Sequence, residues 1–191
     1  MKNIRTFVAV EVSGEVKSHA MKLIDQFKTT GVKASWAKPE NMHLTLKFLG
    51  DTPETLLAEV CRAVQKASEK LACFELRFGG AGAFPGLQRP QTLWMGVQSG
   101  LEEITSLQES IDEALFQLRY PRERRRFTPH LTLGRCRGGS PQQFAELGHI
   151  IEENAAFNGG VSITEEVIVF ESMLERGSEP IYEVLSRTEL I

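Results

Sequence analysis

The chain is poor in the residues from which covalent and metal scaffolds are made. Among 191 residues there are three cysteines and four histidines. Cys61, Cys73 and Cys136 are odd in number and show no C-x-x-C spacing. That argues against a disulfide framework and a zinc site, and it fits a reducing, cytoplasmic setting. No apolar run reaches the roughly 18 residues that mark a membrane span. Met1-Lys2-Asn3-Ile4-Arg5 leads into a strand pattern and lacks the profile of a signal peptide. Positive charge is short too, with 22 Lys and Arg against 25 Asp and Glu and a net charge of −3. A protein that grips long duplexes through their backbone is usually basic, so that class is excluded. What remains is an ordinary globular composition, 41% hydrophobic and 25% charged, sized for one domain or two small interlocked lobes around a real core.

Scarcity makes the placement of histidine informative. Two of the four stand in identical tetrapeptides, His43-Leu44-Thr45-Leu46 and His130-Leu131-Thr132-Leu133. Leu, Thr and the flanking apolar residues favour strands. Residues two apart on a strand share a face, so His43 and Thr45 point one way while Leu44 and Leu46 point the other, and the second copy behaves alike. Two such strands side by side would line a groove with two imidazoles and two hydroxyls. That set suits a phosphate: hydroxyls donate to its non-bridging oxygens, and one imidazole gives a proton while the other takes one. A lone His on a strand is more often structural, and repetition commonly marks a duplicated unit. Duplication alone would preserve the leucines more readily than the polar pair. Neither motif adds a Cys, Asp or Glu at ligand spacing, so no metal and no cofactor are expected.

The paired H-x-T-x motifs resemble the 2H phosphoesterase superfamily. The fuller strings Arg5-Thr6-Phe7-Val8-Ala9, His43 to Gly50 and Phe127 to Arg135 are similar to its RNA 2',3'-cyclic phosphodiesterase branch, historically called 2'-5' RNA ligases. The resemblance spans essentially the whole chain. It implies an α+β fold that is bilobal, with two pseudo-symmetric antiparallel sheets, outer helices, a central cleft and lobes interleaved in sequence as a single domain. It implies hydrolysis of a terminal 2',3'-cyclic phosphate to a 2'-phosphate, with His43 as proton donor and His130 as proton acceptor. The residues themselves leave the two roles interchangeable. Thr45 and Thr132 would hold the phosphate oxygens, and Arg135 would border the nucleotide. On a regular strand, however, Arg135 points opposite to His130. The partners implied are RNA ends or nucleoside 2',3'-cyclic phosphates; no membrane association is expected, and the oligomeric state is open with a monomer as the default. Two alternatives stay open: ligation at the same site with an alcohol in place of water, and a non-catalytic module that binds RNA ends.

The rest of the chain reads in order as follows. Thr6 to Val12 is a strand. Ser13 to Thr29 is a helix with Val16, Ala20, Leu23, Ile24 and Phe27 buried and His19 at the surface. A short strand over Ala34 to Ala37 and a turn at Pro39-Glu40-Asn41 precede the first motif strand. Thr52 and Pro53 read as cap and first turn of a second helix ending near Leu71. Phe74 to Phe78 is a strand, Gly79 to Gly86 a flexible passage bordering the cleft, and Thr92 to Val97 a strand. Leu101 to Leu118 is a helix. Arg119, Arg122, Arg124, Arg125 and Arg126 crowd the next stretch, either a solvated loop or an anion-collecting rim that would give Arg126 a place at the substrate. After the second motif come a helix from Pro141 to about Ala155, with His149 structural, and strands over Ser162 to Phe170 and Ile181 to Ser186, joined by a polar turn at 175–180. Phe7, Phe48 and Phe84 are candidates for stacking on a base, each with a place in the core as the other reading.

Overall fold

The computed structural model describes residues 2–173 and 180–191. The described chain runs β1 (Asn3–Glu11), α1 (Gly14–Lys28), β2 (Lys33–Trp36), a 3-10 turn at Pro39–Asn41 and β3 (His43–Pro53). A second 3-10 turn leads into α2 (Leu57–Ser68), followed by β4 (Phe74–Phe84), β5 (Thr92–Ser99), α3 (Leu101–Gln117), β6 (His130–Gly138), α4 (Pro141–Glu153), β7 (Asn158–Thr164), β8 (Glu166–Met173) and β9 (Ile181–Glu189). The polar turn expected at 175–180 lies, apart from Pro180, outside the described residues. No described helix is long and apolar enough to cross a membrane.

The strands pair antiparallel in the order β7-β4-β5-β6-β3-β1-β8-β9, with β2 also pairing with β6. The α+β class and antiparallel pairing match the sequence reading. The expectation of two separate sheets needs correction, because one continuous path links both halves. The link is slight: β3 and β6 meet through a single register pair, Leu44 with Leu131, and beyond it β2 takes over as the partner of β6. The sequence order crosses between halves, since β3 is followed by strands that pair around β5, and the chain returns to β1 only with β8.

One face of the sheet carries the helices. Val8, Val10, Leu44, Leu46, Leu93, Met95, Leu131, Leu133, Val167 and Val169 join the buried faces of all four helices in one apolar cluster. On α1 that face is Val16, Ala20, Leu23, Ile24 and Phe27, and the Ser13 side chain caps the first turn. On α4, Ser140 and Gln143 form a reciprocal capping box with Pro141 in the first turn. The opposite face of the sheet carries a second, smaller cluster of Phe7, Ala9, Ile168 and Phe170, with Tyr182 against it.

Four local expectations are overturned. β3 runs on to Pro53, so Thr52 does not cap a helix. It is fully buried, opposite Ile4, and its hydroxyl accepts from Tyr120 at 3.0 Å. The glycine-rich stretch after Phe78 is no loose passage, for β4 continues to Phe84 paired with β5, while its pairing with β7 reaches Gly79. A Cβ at Gly82 would stand 2.2 Å from the Trp94 ring, so that glycine is a seat for an indole. The strand expected over Ser162 to Phe170 is two, β7 and β8, broken at Glu165 and belonging to different halves. His19 is half-buried: its Nδ1 is enclosed without a partner, and its ring meets the edge of Phe157 at 6.2 Å.

Candidate active site

The Leu44–Leu131 pair orders everything around it. Stepping the antiparallel register one residue each way sets His43 opposite Thr132 and Thr45 opposite His130. Directly opposed Cβ atoms lie about 5 Å apart and diagonal ones about 7–8 Å. The two histidines therefore occupy one diagonal of a small quadrilateral and the two threonines the other, on the face away from the helices. All four are partly exposed, while the leucines between them are buried.

Each imidazole is bonded to the backbone. His130 Nδ1 lies 2.7 Å from the Thr128 carbonyl, and the His43 ring bonds the backbone of Asn41. In both copies the anchor is the residue two before the histidine. With the His130 Nδ1–H donating to that carbonyl, Nε2 is left as the free nitrogen of the ring. Aromatic rings wall both sites. Phe7 stacks on His43 at 4.8 Å, with Tyr182 edge-on at 5.1 Å and Phe170 at 5.9 Å. Phe84 stands edge-on to His130 at 5.0 Å and Trp94 lies at 6.3 Å. Burial among these rings disfavours the charged imidazolium. It lowers His43 to about 4, with the Asn41 bond opposing and Lys17 adding to the effect. It lowers His130 as well, where the Thr128 bond opposes and the Arg135 charge adds to the effect.

A matching irregularity follows each motif. Against β1, Val8 pairs with Lys47 but Ala9 with Thr45, so Leu46 is an extra residue in β3. Against β5, Leu93 pairs with Gly134 but Trp94 with Thr132, so Leu133 is an extra residue in β6. These are β-bulges, and each shifts the alternation by one. Leu46 and Lys47 are both buried on the helix side, as are Leu133 and Gly134. The residue five after each histidine is thereby returned to the histidine's own face. Arg135, which a regular strand would point away, sits beside Thr92 with Nη1 donating to its Oγ1 at 3.3 Å. Its counterpart Phe48 is 67% exposed, with its ring 6.0 Å from Phe7. Gly134 has no room for more, because a Cβ there would meet the Trp36 ring at 2.7 Å.

The remaining candidates are placed as follows. Phe7 is buried yet forms the floor under His43, and Phe84 likewise contacts a motif ring, so neither is confined to the helix-side core. Trp94 and Tyr182 were missed. The period-2 alternation of Thr92 to Val97 could have placed Trp94 on this face once Leu93 and Met95 were assigned to the core. Arg126 is exposed in the segment entering β6. Within that segment Arg122 pairs with Glu113 and lies over the Phe116 ring. His149 is exposed, 3.2 Å from Glu153. Burial raises the Cys136 thiol, which keeps it protonated. Among the described residues, no three His, Cys, Asp or Glu side chains gather where they could hold a metal ion.

The sequence profile of the 2'-5' RNA ligase superfamily matches residues 16–162. This chain belongs to that superfamily. Among its relatives is the RNA 2',3'-cyclic phosphodiesterase of Methanothermobacter thermautotrophicus, 31% identical over 94% of this chain and 95% of the relative. Another of the same name, from Archaeoglobus fulgidus, is 34% identical over 73% and 76%. With these relatives the superfamily member stands in the RNA 2',3'-cyclic phosphodiesterase family, and as an enzyme it is a phosphodiesterase. The crystal structure of TT0787 of Thermus thermophilus shares the fold with a TM-score of 0.81 at 24% identity, covering 97% of both chains. Escherichia coli LigT complexed with 3'-AMP shares it with a TM-score of 0.74 at 19% identity, covering 99% of both.

Proposed function

We propose that this protein hydrolyses the terminal 2',3'-cyclic phosphate of RNA to a 2'-phosphate, by acid–base catalysis between His43 and His130 and without a metal ion. The observation that carries the proposal is the crossed placement of two imidazoles and two hydroxyls about the Leu44–Leu131 pair, in a chain whose family acts on this chemical group. Water attacks phosphorus in line with the 3'-oxygen. His130 takes the proton of the attacking water, the bond from phosphorus to the 3'-oxygen breaks, and His43 gives that oxygen its proton. Each positioned acid or base contributes about 10² to 10⁴ in rate. Thr45 and Thr132 donate to the non-bridging oxygens, where charge accumulates. Arg135 and Phe48, brought onto the same face by the bulges, border the nucleotide with a cation on one side and a ring on the other, and Arg126 adds charge at the approach.

The deciding experiment incubates the protein with nucleoside 2',3'-cyclic phosphates in excess chelator and identifies the monophosphate formed. The 2'-isomer is expected, with His43→Ala and His130→Ala each lowering kcat by about 10² to 10⁴. Activity that disappears in chelator and returns with a divalent ion overturns the metal-independent mechanism, and formation of the 3'-isomer overturns the assignment of the leaving oxygen.

A further inference from the structure

Past the second bulge, β6 does not stop at Arg135. Arg137 is the extra residue of a further irregularity against β2, where Ala34 pairs with Cys136 and Lys33 with Gly138, and its Nε donates at 3.1 Å to Oγ of Ser35, the residue paired with Arg135. One strand carries His130, Thr132, Arg135 and Arg137 in succession. Arg137 also lines a cavity of about 1150 Å³ that opens where β6 ends. Its walls include Arg89, Gln88 and Gln91 from the segment between β4 and β5, and Phe144 from α4, with Glu152 as an acidic group in the lining.

Some arginines of the chain are taken up by carboxylates and those of this track are not. Arg122 pairs with Glu113, Arg187 with Glu11 and Glu166, and Arg77 with Glu75. Arg135 and Arg137 are bonded to hydroxyls, and for Arg89, Arg135 and Arg137 there is no carboxylate partner among the described residues. In a chain of net charge −3, three exposed guanidinium groups without acids mark a surface that suits an anion with repeated charges. From His130 to Arg137 the strand covers about 17 Å at about 3.3 Å per residue, less the two irregularities, which is longer than one nucleotide.

We infer that the RNA strand on the 5' side of the terminal cyclic phosphate runs along β6 over Arg135 and Arg137 and enters the cavity between residues 85–91 and α4, so that the preferred substrate is an oligonucleotide rather than a mononucleotide. The inference rests on the proposed function for the direction of the strand, which places the reacting end at the histidines. The guanidinium groups meet successive phosphates, and Gln88, Gln91 and the Phe144 ring offer hydrogen bonds and a stacking face to bases.

The test compares a cyclic mononucleotide with a six-nucleotide RNA ending in a 2',3'-cyclic phosphate, on the natural protein and on Arg89→Glu/Arg137→Glu. Both positions are exposed, and thermal unfolding verifies the fold. The natural protein is expected to show a KM at least tenfold lower for the oligonucleotide. The double variant raises that KM about tenfold while mononucleotide turnover stays within about twofold. It also lowers the slope of log binding constant against log salt by about 0.7 for each phosphate that is no longer neutralised. A second reading, anisotropy of a labelled six-nucleotide RNA ending in a 2'-phosphate, does not depend on turnover. If neither substrate is cleaved, the proposed function falls, and the inference still stands if binding depends on the two arginines. Equal KM values for the two substrates in the natural protein, or a variant that binds the oligonucleotide unchanged, overturn the inference.

Discussion

An imidazole held at about 4 by burial is neutral at pH 7, and His130 is lowered as well. The proposed reaction needs one proton between them and must therefore acquire it with the substrate. A phosphate anion about 4 Å from a ring contributes on the order of 4 kcal/mol at an effective dielectric of about 20. At 1.36 kcal/mol per pKa unit, that returns His43 from about 4 to roughly 7. The sign then follows. In the free enzyme both pKa values lie below 6.5, so the alkaline limb of kcat/KM falls below pH 6.5. In the bound complex the anion favours the imidazolium, so the alkaline limb of kcat moves to higher pH. Both limbs at the same pH would show that the phosphate does not sit against the rings. At this scale the histidines were legible because a rare residue recurs in a repeated tetrapeptide. The facing of Arg135 was not. The bulge that turns it adds one residue to the strand, and nothing in Leu46-Lys47 or Leu133-Gly134 marks it, since one copy carries a cation and the other a glycine.

Among elements, the tie between β3 and the segment entering β6 runs through a charge. Lys47, turned inward by the first bulge, is 6% exposed. It bonds Asp112 of α3 and donates to the Pro121 carbonyl at 2.8 Å, while Asp112 accepts from the Glu123 backbone at 3.3 Å. The pair thus holds the arginine-rich approach against the strand that carries His43. Removing one partner of a buried pair leaves a charge without compensation and costs about 3–5 kcal/mol. Lys47→Met is expected to lose that much in denaturant unfolding. Lys47→Met/Asp112→Leu removes the stranded charge and is expected to recover to within about 1–2 kcal/mol of the natural protein, the remainder being the backbone groups left without partners. Equal losses in the single and double variants would mean that the pair contributes through packing alone. Helices with a clear 3.6-residue face, α1 and α3 above all, were readable to within a residue or two. β4 was not, because its glycines suggest a loop, whereas Gly82 makes room for the Trp94 ring and Gly79 and Gly80 lie close against the Phe157 and Ala155 carbonyls. The break at Glu165 carries neither Gly nor Pro to announce it.

Among the described residues the two sets of strands meet in the sheet through one register pair between β3 and β6, and no periodicity in the sequence could have revealed how narrow that join is. Leu44 and Leu131 are both fully buried, and their opposition sets the spacing of the histidine diagonal. A cavity there should therefore act on chemistry as well as on stability. Leu131→Ala is expected to cost about 2–5 kcal/mol, the usual range for a buried leucine. Leu23→Ala, at an equally buried position on α1, is expected to cost a similar amount by opening a cavity between helix and sheet, away from the quadrilateral. Compared at a temperature where both remain folded, Leu131→Ala should lower kcat about tenfold or more, because small displacements of acid–base groups are expensive, while Leu23→Ala stays within about threefold. Equal kcat values in the two variants would show that the join between the halves does not govern the distance between His43 and His130, and that each imidazole is placed by its own aromatic surroundings instead.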